Sequence, residues 1–218
     1  MSPNPEPTFR RYSEATVPTE YGTFRFVVYR EADSPFEHVA IVRGEVRGAS
    51  DVLVRVHSEC MTGEVFHSLK CDCREQLDLA MRRIAEEKAG VICYLRQEGR
   101  GIGLGNKIKA YALQQQGYDT VDANRKLGFG DDLRDYKAAA FMLRDLGIES
   151  VRVMTNNPLK VDALRRDGVL VTSRVEHFAG YHPHNQEYLE TKRRRMGHLY
   201  DLGDEEARPA LASGGELD

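Results

Sequence analysis

Residues 135–175 read DYKAAAFMLRDLGIESVRVMTNNPLKVDALRRDGVLVTSRV, and the hydrophobic periodicity changes repeatedly along them. DYKAAAFMLRDLG carries a helical pattern, VRVMT a strand, LKVDALRRDG a helix and VLVTSRV a strand again. Helices alternating with short apolar strands build an α/β layer on a parallel sheet. The same texture extends upstream. REQLDLAMRRIAEEKAG places Leu77, Met81 and Ile84 on one helical face, with Asp72 as N-cap and Gly90 as stop. VICYL reads as a buried strand and NKIKAYALQQQG as another helix. From Tyr21 to Val56 the pattern favours strands: Phe24, Phe26 and Val28 alternate, then HVAIV, GEV and DVLVRV follow between turn residues. The expected fold is α/β: a mixed, largely parallel sheet with flanking helices, preceded by a strand-rich N-terminal part. Residues 1–10 are Pro-rich and polar and are expected to be disordered. Residues 11–200 form one domain, with only a change of layer near residue 57. NQEYLETKRRRMGHLYDL reads as a terminal helix, and 201–218 as an acidic, flexible tail.

The 218-residue chain is 41% hydrophobic and 30% charged, as ordinary globular proteins are. Its 31 basic and 34 acidic residues leave a net charge of -3, which argues against a general nucleic-acid or membrane binder. A polyanionic substrate would have to meet locally clustered Arg and Lys. No apolar run reaches the length of a membrane span, and MSPNPEPTFRRYSE lacks a signal peptide's apolar segment, so a cytoplasmic location is expected. In that compartment the four cysteines read as ligands or buried thiols rather than disulfide partners.

Three of them, Cys60, Cys71 and Cys73, fall within ECMTGEVFHSLKCDC. Thiolates so spaced could hold one zinc ion. A structural site normally takes four ligands, and no fourth cysteine lies near. The fourth position is therefore either open to water, as in a catalytic site, or closed by His67. Cys93, inside VICYL, reads as a core thiol. GRGIGLG is by itself a weak phosphate-loop signal, because glycine-rich turns before helices are common.

Longer motifs carry more. RVHSECMTGEVFHSLKCDCREQL, RQEGRGIGLGNKIKAYALQQQGYDTVDAN, LGFGDDLRDY and TNNPLK closely resemble the GTP cyclohydrolase II family, and weaker similarity reaches GYHPHNQEYLETKRRRMGHL. The resemblance spans about residues 14 to 200. It implies hydrolysis of GTP to formate, pyrophosphate and a diamino-ribosylamino-pyrimidinone phosphate, the first step of riboflavin biosynthesis, in a homodimer. It implies Cys60, Cys71 and Cys73 as ligands of one catalytic zinc, leaving His67 no ligand role. It implies Asp132 as general base, Arg134 at the α-phosphate and Tyr111 near the opening ring. Arg55, Val56, His57, Ser58, Glu59, Gln76, Glu98, Gly99, Arg100, Thr120, Thr155 and Lys160 would then contact GTP, with Mg²⁺ on the triphosphate. Gln76 and Glu98 are the candidates for reading guanine, since a carboxylate can accept from both N1–H and the 2-amino group. Gly105 departs from the family, where larger apolar residues are common. Two other readings stay open: a paralogue stopping at the formamidopyrimidine nucleotide or serving a secondary pathway, and a binding module with a structural zinc. The bland reading of Asp131 and Asp132 is a solvated loop, and that of Tyr111 a packed helix-face aromatic.

Overall fold

The computed structural model describes residues 9–32, 34–130, 133–179 and 199. Strands β1 (Phe9–Thr19), β2 (Gly22–Glu31), β3 (Glu37–Arg43), β4 (Val52–Ser58), β5 (Gly90–Leu95), β6 (Val151–Met154) and β7 (Val171–Val175) form one sheet in the order β1-β2-β3-β5-β4-β6-β7. Helices α1 (Met61–Glu64), α2 (Cys73–Glu86), α3 (Gly103–Gln114), α4 (Thr120–Lys126), α5 (Lys137–Asp145) and α6 (Pro158–Arg166) complete the α/β arrangement, with one 3₁₀ turn at Glu98–Gly101. β1, β2, β3 and β5 pair antiparallel, whereas β5, β4, β6 and β7 pair parallel. The mixed sheet matches the expectation, and the strand-rich N-terminal part is its antiparallel half. What changes near residue 57 is the pairing rather than the layer.

Side-chain alternation sends each strand's residues to two different cores. Val52, Val54 and Val56 of β4, with Val91, Cys93 and Leu95 of β5 and Val151 and Val153 of β6, pack beneath α5 and α6. Leu53, Ile92 and Met154 point the other way, to Ala80, Met81 and Ile84 of α2 and to Phe24 and Ile41. Strands covered on both faces need near-continuous apolar sequence, which is why VLVRV and GVICYL lack simple alternation. Each fully buried Ile or Leu here contributes roughly 1.5–3 kcal/mol. On the α2 face of β4 the residues after Leu53 are Arg55 and His57, both buried. That face therefore turns polar towards the carboxyl end of the strand.

Several local readings change. β1 begins at Phe9, inside the segment expected to be disordered, and runs to Thr19 with mostly exposed residues. An edge strand with no buried face leaves no alternating signal. In β2 the fully buried residues are Phe24, Val27 and Tyr29 rather than Phe24, Phe26 and Val28, because α5 covers the second face. GEV is not a strand; Gly44 has φ 65°, and a Cβ there would lie 1.9 Å from the Lys88 carbonyl oxygen. Asp72 does stand at the N-cap of α2, but its side chain makes no capping bond. Apart from Leu199, the expected C-terminal helix and tail lie outside the described residues.

Candidate active site

Residues 55–60, 97–100 and 155–160 lie at or just past the carboxyl ends of β4, β5 and β6, three adjacent parallel strands. Open α/β sheets place ligands there, and one cavity opens at this edge. Its floor is the cysteine cluster. Cys60 is the N-cap of α1, Cys71 precedes α2 and Cys73 opens it. Their three sulfurs lie within 4.8 Å of one another, with Cys60 Sγ 3.6 Å from Cys71 Sγ, and all three thiols are free of disulfides. Gly63 makes this approach possible, since a Cβ there would lie 2.9 Å from Cys71 Sγ and 3.4 Å from Cys60 Sγ. His67 turns away, to the guanidinium of Arg74.

Three thiols so close, two buried and one half-buried, cannot all ionise alone. Hydrogen bonds from Cys71 and Cys73, helped by the Lys107 ammonium, push the Cys60 thiol down. Its thiolate in turn pushes Cys71 up to about 11 and Cys73 upward as well. Three thiolates need a cation among them, and soft sulfur donors in a tight, shielded trio fit a thiophilic divalent ion. These cysteines could hold such a metal ion.

The wall carries positive charge. Arg55 donates through Nη1 to the Met154 carbonyl at 2.8 Å and through Nη2 to Gln76 Oε1. Gln76 Nε2 donates to Asp72 Oδ2, and His177 Nε2–H donates to the Gln76 carbonyl at 2.8 Å. Burial, then Arg55, lowers His177 to about 2 and keeps it neutral. The amide oxygen of Gln76 is thus bound to Arg55, so Gln76 positions an arginine at the cavity wall. Lys160, itself buried, reaches back to the Val56 carbonyl at 2.7 Å, while the Val56 side chain belongs to the core beneath α5. Thr155 Oγ1 accepts from Asn157 N at 3.0 Å, and Asn157 caps α6 through Leu159 N. This is the Asn-capped helix start that MTNNPLK suggested, and Thr155 and Lys160 both line the cavity.

Above the floor, Glu98 accepts from Met61 N at 2.6 Å, Gly99 N at 2.7 Å and Lys107 Nζ at 2.8 Å. Gly99 and Arg100 both adopt left-handed backbone, at φ 63° and 60°. For arginine that conformation is unfavourable and tends to occur where function demands it. The Arg100 carbonyl accepts from Leu133 N at 3.1 Å, and Gln97 exchanges two hydrogen bonds with the Asp135 backbone. These bonds strap the 133–135 segment onto the turn and bring Arg134 into the cavity wall. Tyr111 of α3 faces the same space. Ser58 and Glu59 also line it, with Glu59 paired to Arg96 at 2.7 Å. Asp132 lies outside the described residues; Thr120 opens α4, and its side chain is likewise outside them. Gly105 belongs to α3, and a Cβ there would meet open space.

Residues 10–176 match the GTP cyclohydrolase II family. The chain belongs to that family. GTP cyclohydrolase-2 of Citrobacter koseri is 50% identical over 190 residues, covering 87% of this chain and 97% of the relative. GTP cyclohydrolase-2 of Escherichia coli (strain HS) gives the same identity and coverage. Among solved structures, a two-domain 3,4-dihydroxy-2-butanone 4-phosphate synthase from A. baumannii matches 78% of this chain and 41% of its own, at 26% identity and a TM-score of 0.48. The chain is thus a hydrolase of the GTP cyclohydrolase II family. Within that frame the sequence reading missed residues at the heart of the site. Glu64 accepts from His57 Nε2 at 2.8 Å, from Cys60 N at 2.9 Å and from the Tyr94 hydroxyl. His57, stacked on Tyr94, has its pKa lowered by burial against the opposing pull of Glu64, so it is neutral with its proton on Nε2. A carboxylate one helical turn after Cys60 was a readable signal. Lys107, whose partners lie 9 and 47 residues away, left none.

Proposed function

We propose that this cavity hydrolyses the guanine imidazole ring of GTP, releasing formate and pyrophosphate and leaving the 2,5-diamino-6-ribosylamino-pyrimidinone phosphate that begins riboflavin biosynthesis. What supports the reading is the meeting of a three-thiol metal floor and a wall of Arg55, Arg100, Arg134 and Lys160 in one cavity. Zinc on Cys60, Cys71 and Cys73 would supply the Lewis acidity for attack of water at C8; the most acidic zinc sites lower a water pKa from 15.7 to about 7, an effect that thiolate ligands blunt. Tyr111, facing that floor, donates or accepts a proton as the ring opens. Arg100, Arg134 and Lys160 bind and orient the triphosphate, which enters with Mg²⁺. Guanidinium stays protonated at neutral pH and has no free lone pair. Arg134 therefore clamps the α-phosphate while water attacks, with Asp132 as the general base. Glu98 remains the candidate reader of the guanine edge, whereas Gln76 acts on the base through Arg55.

The reading includes a homodimer in the cytoplasm; among the described residues no helix is long and apolar enough to cross a membrane. Incubation with GTP and Mg²⁺, with formate, pyrophosphate and pyrimidine absorbance measured together, tests it. All three should appear in equal amounts. Pyrophosphate without formate would identify a paralogue that stops at an earlier nucleotide. Absence of both products from a zinc-loaded preparation would leave a metal-stabilised binding module.

A further inference from the structure

Among the cations of the cavity, Lys107 is placed differently from the rest. Arg100, Arg134 and Lys160 are the cations assigned above to the triphosphate, and Arg55 is held by the Met154 carbonyl and Gln76. Lys107 reaches from the second turn of α3 to the cysteine floor, where its Nζ donates to Cys60 Sγ at 3.1 Å. The same ammonium donates to Glu98 Oε1 at 2.8 Å, and both side chains of that pair are nearly buried. A lysine on a flexible four-carbon stem beside a triphosphate would ordinarily swing to the phosphates. Glu98 holds it at the sulfur, while the carboxylate itself is fixed by the backbone N–H groups of Met61 and Gly99.

We infer that Lys107 belongs to the metal centre, as a charge-compensating positioning residue that donates to the Cys60 thiolate, with Glu98 as its anchor. The inference rests on the reading of the three cysteines as a zinc site. Three thiolates around a divalent cation carry a net charge of minus one, unfavourable in a shielded cavity. An ammonium against one sulfur offsets that charge and draws electron density from the thiolate. Sulfur donors otherwise blunt a metal's Lewis acidity, so the contact would favour both occupancy and reactivity. Outer partners of metal ligands commonly change metal affinity by about 10–100-fold.

The test compares wild type, Lys107→Met and Lys107→Arg, using zinc affinity by chelator competition and cobalt-substituted absorption. Lys107→Met should bind zinc about 10–100-fold more weakly. Its sulfur-to-cobalt charge-transfer band should move to longer wavelength, because a thiolate without its hydrogen bond is easier to oxidise. Lys107→Arg, which keeps a cationic donor, should recover most of the affinity and the band position. Binding of a non-hydrolysable GTP analogue to the zinc-free proteins should be nearly the same for all three. Melting of the zinc-free proteins checks that each variant folds; if Lys107→Met does not, the Lys107→Arg and Lys107→Gln pair carries the comparison, with the loss expected for Gln alone. Wild type that takes up no zinc would end the zinc reading itself. Wild type that binds zinc beside a folded Lys107→Met or Lys107→Gln that binds it equally tightly would overturn this inference. A loss confined to nucleotide affinity would overturn it too, making Lys107 a phosphate ligand.

Discussion

The two faces of β4 carry residues from the same seven-residue strand and do opposite work. On one, Val52, Val54 and Val56 enter an apolar core closed by α5 and α6. On the other, only Leu53 is apolar, and Arg55 and His57 follow it out from beneath α2. Buried polar groups survive there because each is tied: Arg55 to Gln76 and Met154, His57 to Glu64. One face supplies cohesion and the other gives up cohesion for a charged, rigid site. Substitutions on the two faces should therefore separate stability from activity.

The largest effect belongs to the site face. Cys71→Ser removes one of the three proposed zinc ligands, and formate release should fall below detection while the zinc-free protein melts near the wild-type temperature. Pyrophosphate release should be less affected, since in the proposed reading the phosphates would lie against the arginines rather than the sulfurs. Melting far below wild type would show that the cysteine floor also holds the fold together. Next comes the closed face. Leu164 is fully buried in the core beneath α6, and Leu164→Ala should lower unfolding stability by about 2–5 kcal/mol. Activity per folded molecule should stay close to normal, measured below the lowered melting temperature. A proportionate loss of activity in the fully folded variant would erase the distinction between the faces.

A pH titration sharpens the comparison, because the buried neutral histidines lie on the site face. His177 falls from the ordinary value near 6.5 to about 2 in the folded chain, mainly through burial. Below pH 6.5 the unfolded chain takes up a proton there that the folded chain refuses. Stability is thus fully present above 6.5 and is lost progressively as pH falls towards 2, at up to about 1.4 kcal/mol per pH unit. For one such group the loss is about 2 kcal/mol by pH 5. His57, also lowered by burial, adds to it in the same direction. His177→Gln should flatten the dependence of denaturant midpoint on pH between 7 and 5. An unchanged slope would place the acid sensitivity elsewhere.

How much of this the sequence disclosed follows the same division. Local elements were readable where one periodicity ruled: α2 from Leu77, Met81 and Ile84, and α5 through β7 from the change of pattern. Reading failed for β1, whose exposed residues leave no alternation, and for GEV, where Gly44 needs its left-handed turn against Lys88. At the site, the trio of Cys60, Cys71 and Cys73, which could hold a metal ion, was legible because the three cysteines lie close together in sequence. Arg55, Arg100, Arg134 and Lys160 came from the resemblance to known motifs, not from spacing. Glu64, four residues after Cys60, was a signal left unread, whereas Lys107 meets Cys60 across 47 residues, a distance that no single-sequence pattern encodes. Gln76 was legible as a site residue, yet its role depended on seeing where its amide oxygen points.

The smallest effect concerns Gly63, where the two faces' logics meet in one α-carbon. It lies in α1, so alanine there would ordinarily stabilise a helical backbone by up to about 1 kcal/mol. The added Cβ, however, would meet Cys71 Sγ at 2.9 Å and Cys60 Sγ at 3.4 Å. In the zinc-free protein a thiol can rotate away, and the substitution should be neutral or slightly stabilising. With three sulfurs drawn onto one ion, neither Cys71 nor Cys60 can yield. Crowding of this kind typically costs about 1–3 kcal/mol, equivalent to roughly a 5- to 150-fold loss of zinc affinity. Gly63→Ala should then raise or preserve the melting temperature of the zinc-free protein while shrinking the rise that zinc addition gives. Melting curves with and without zinc read both signs in one experiment. Equal destabilisation in the two states would mean that Gly63 is needed for the fold and not for the metal.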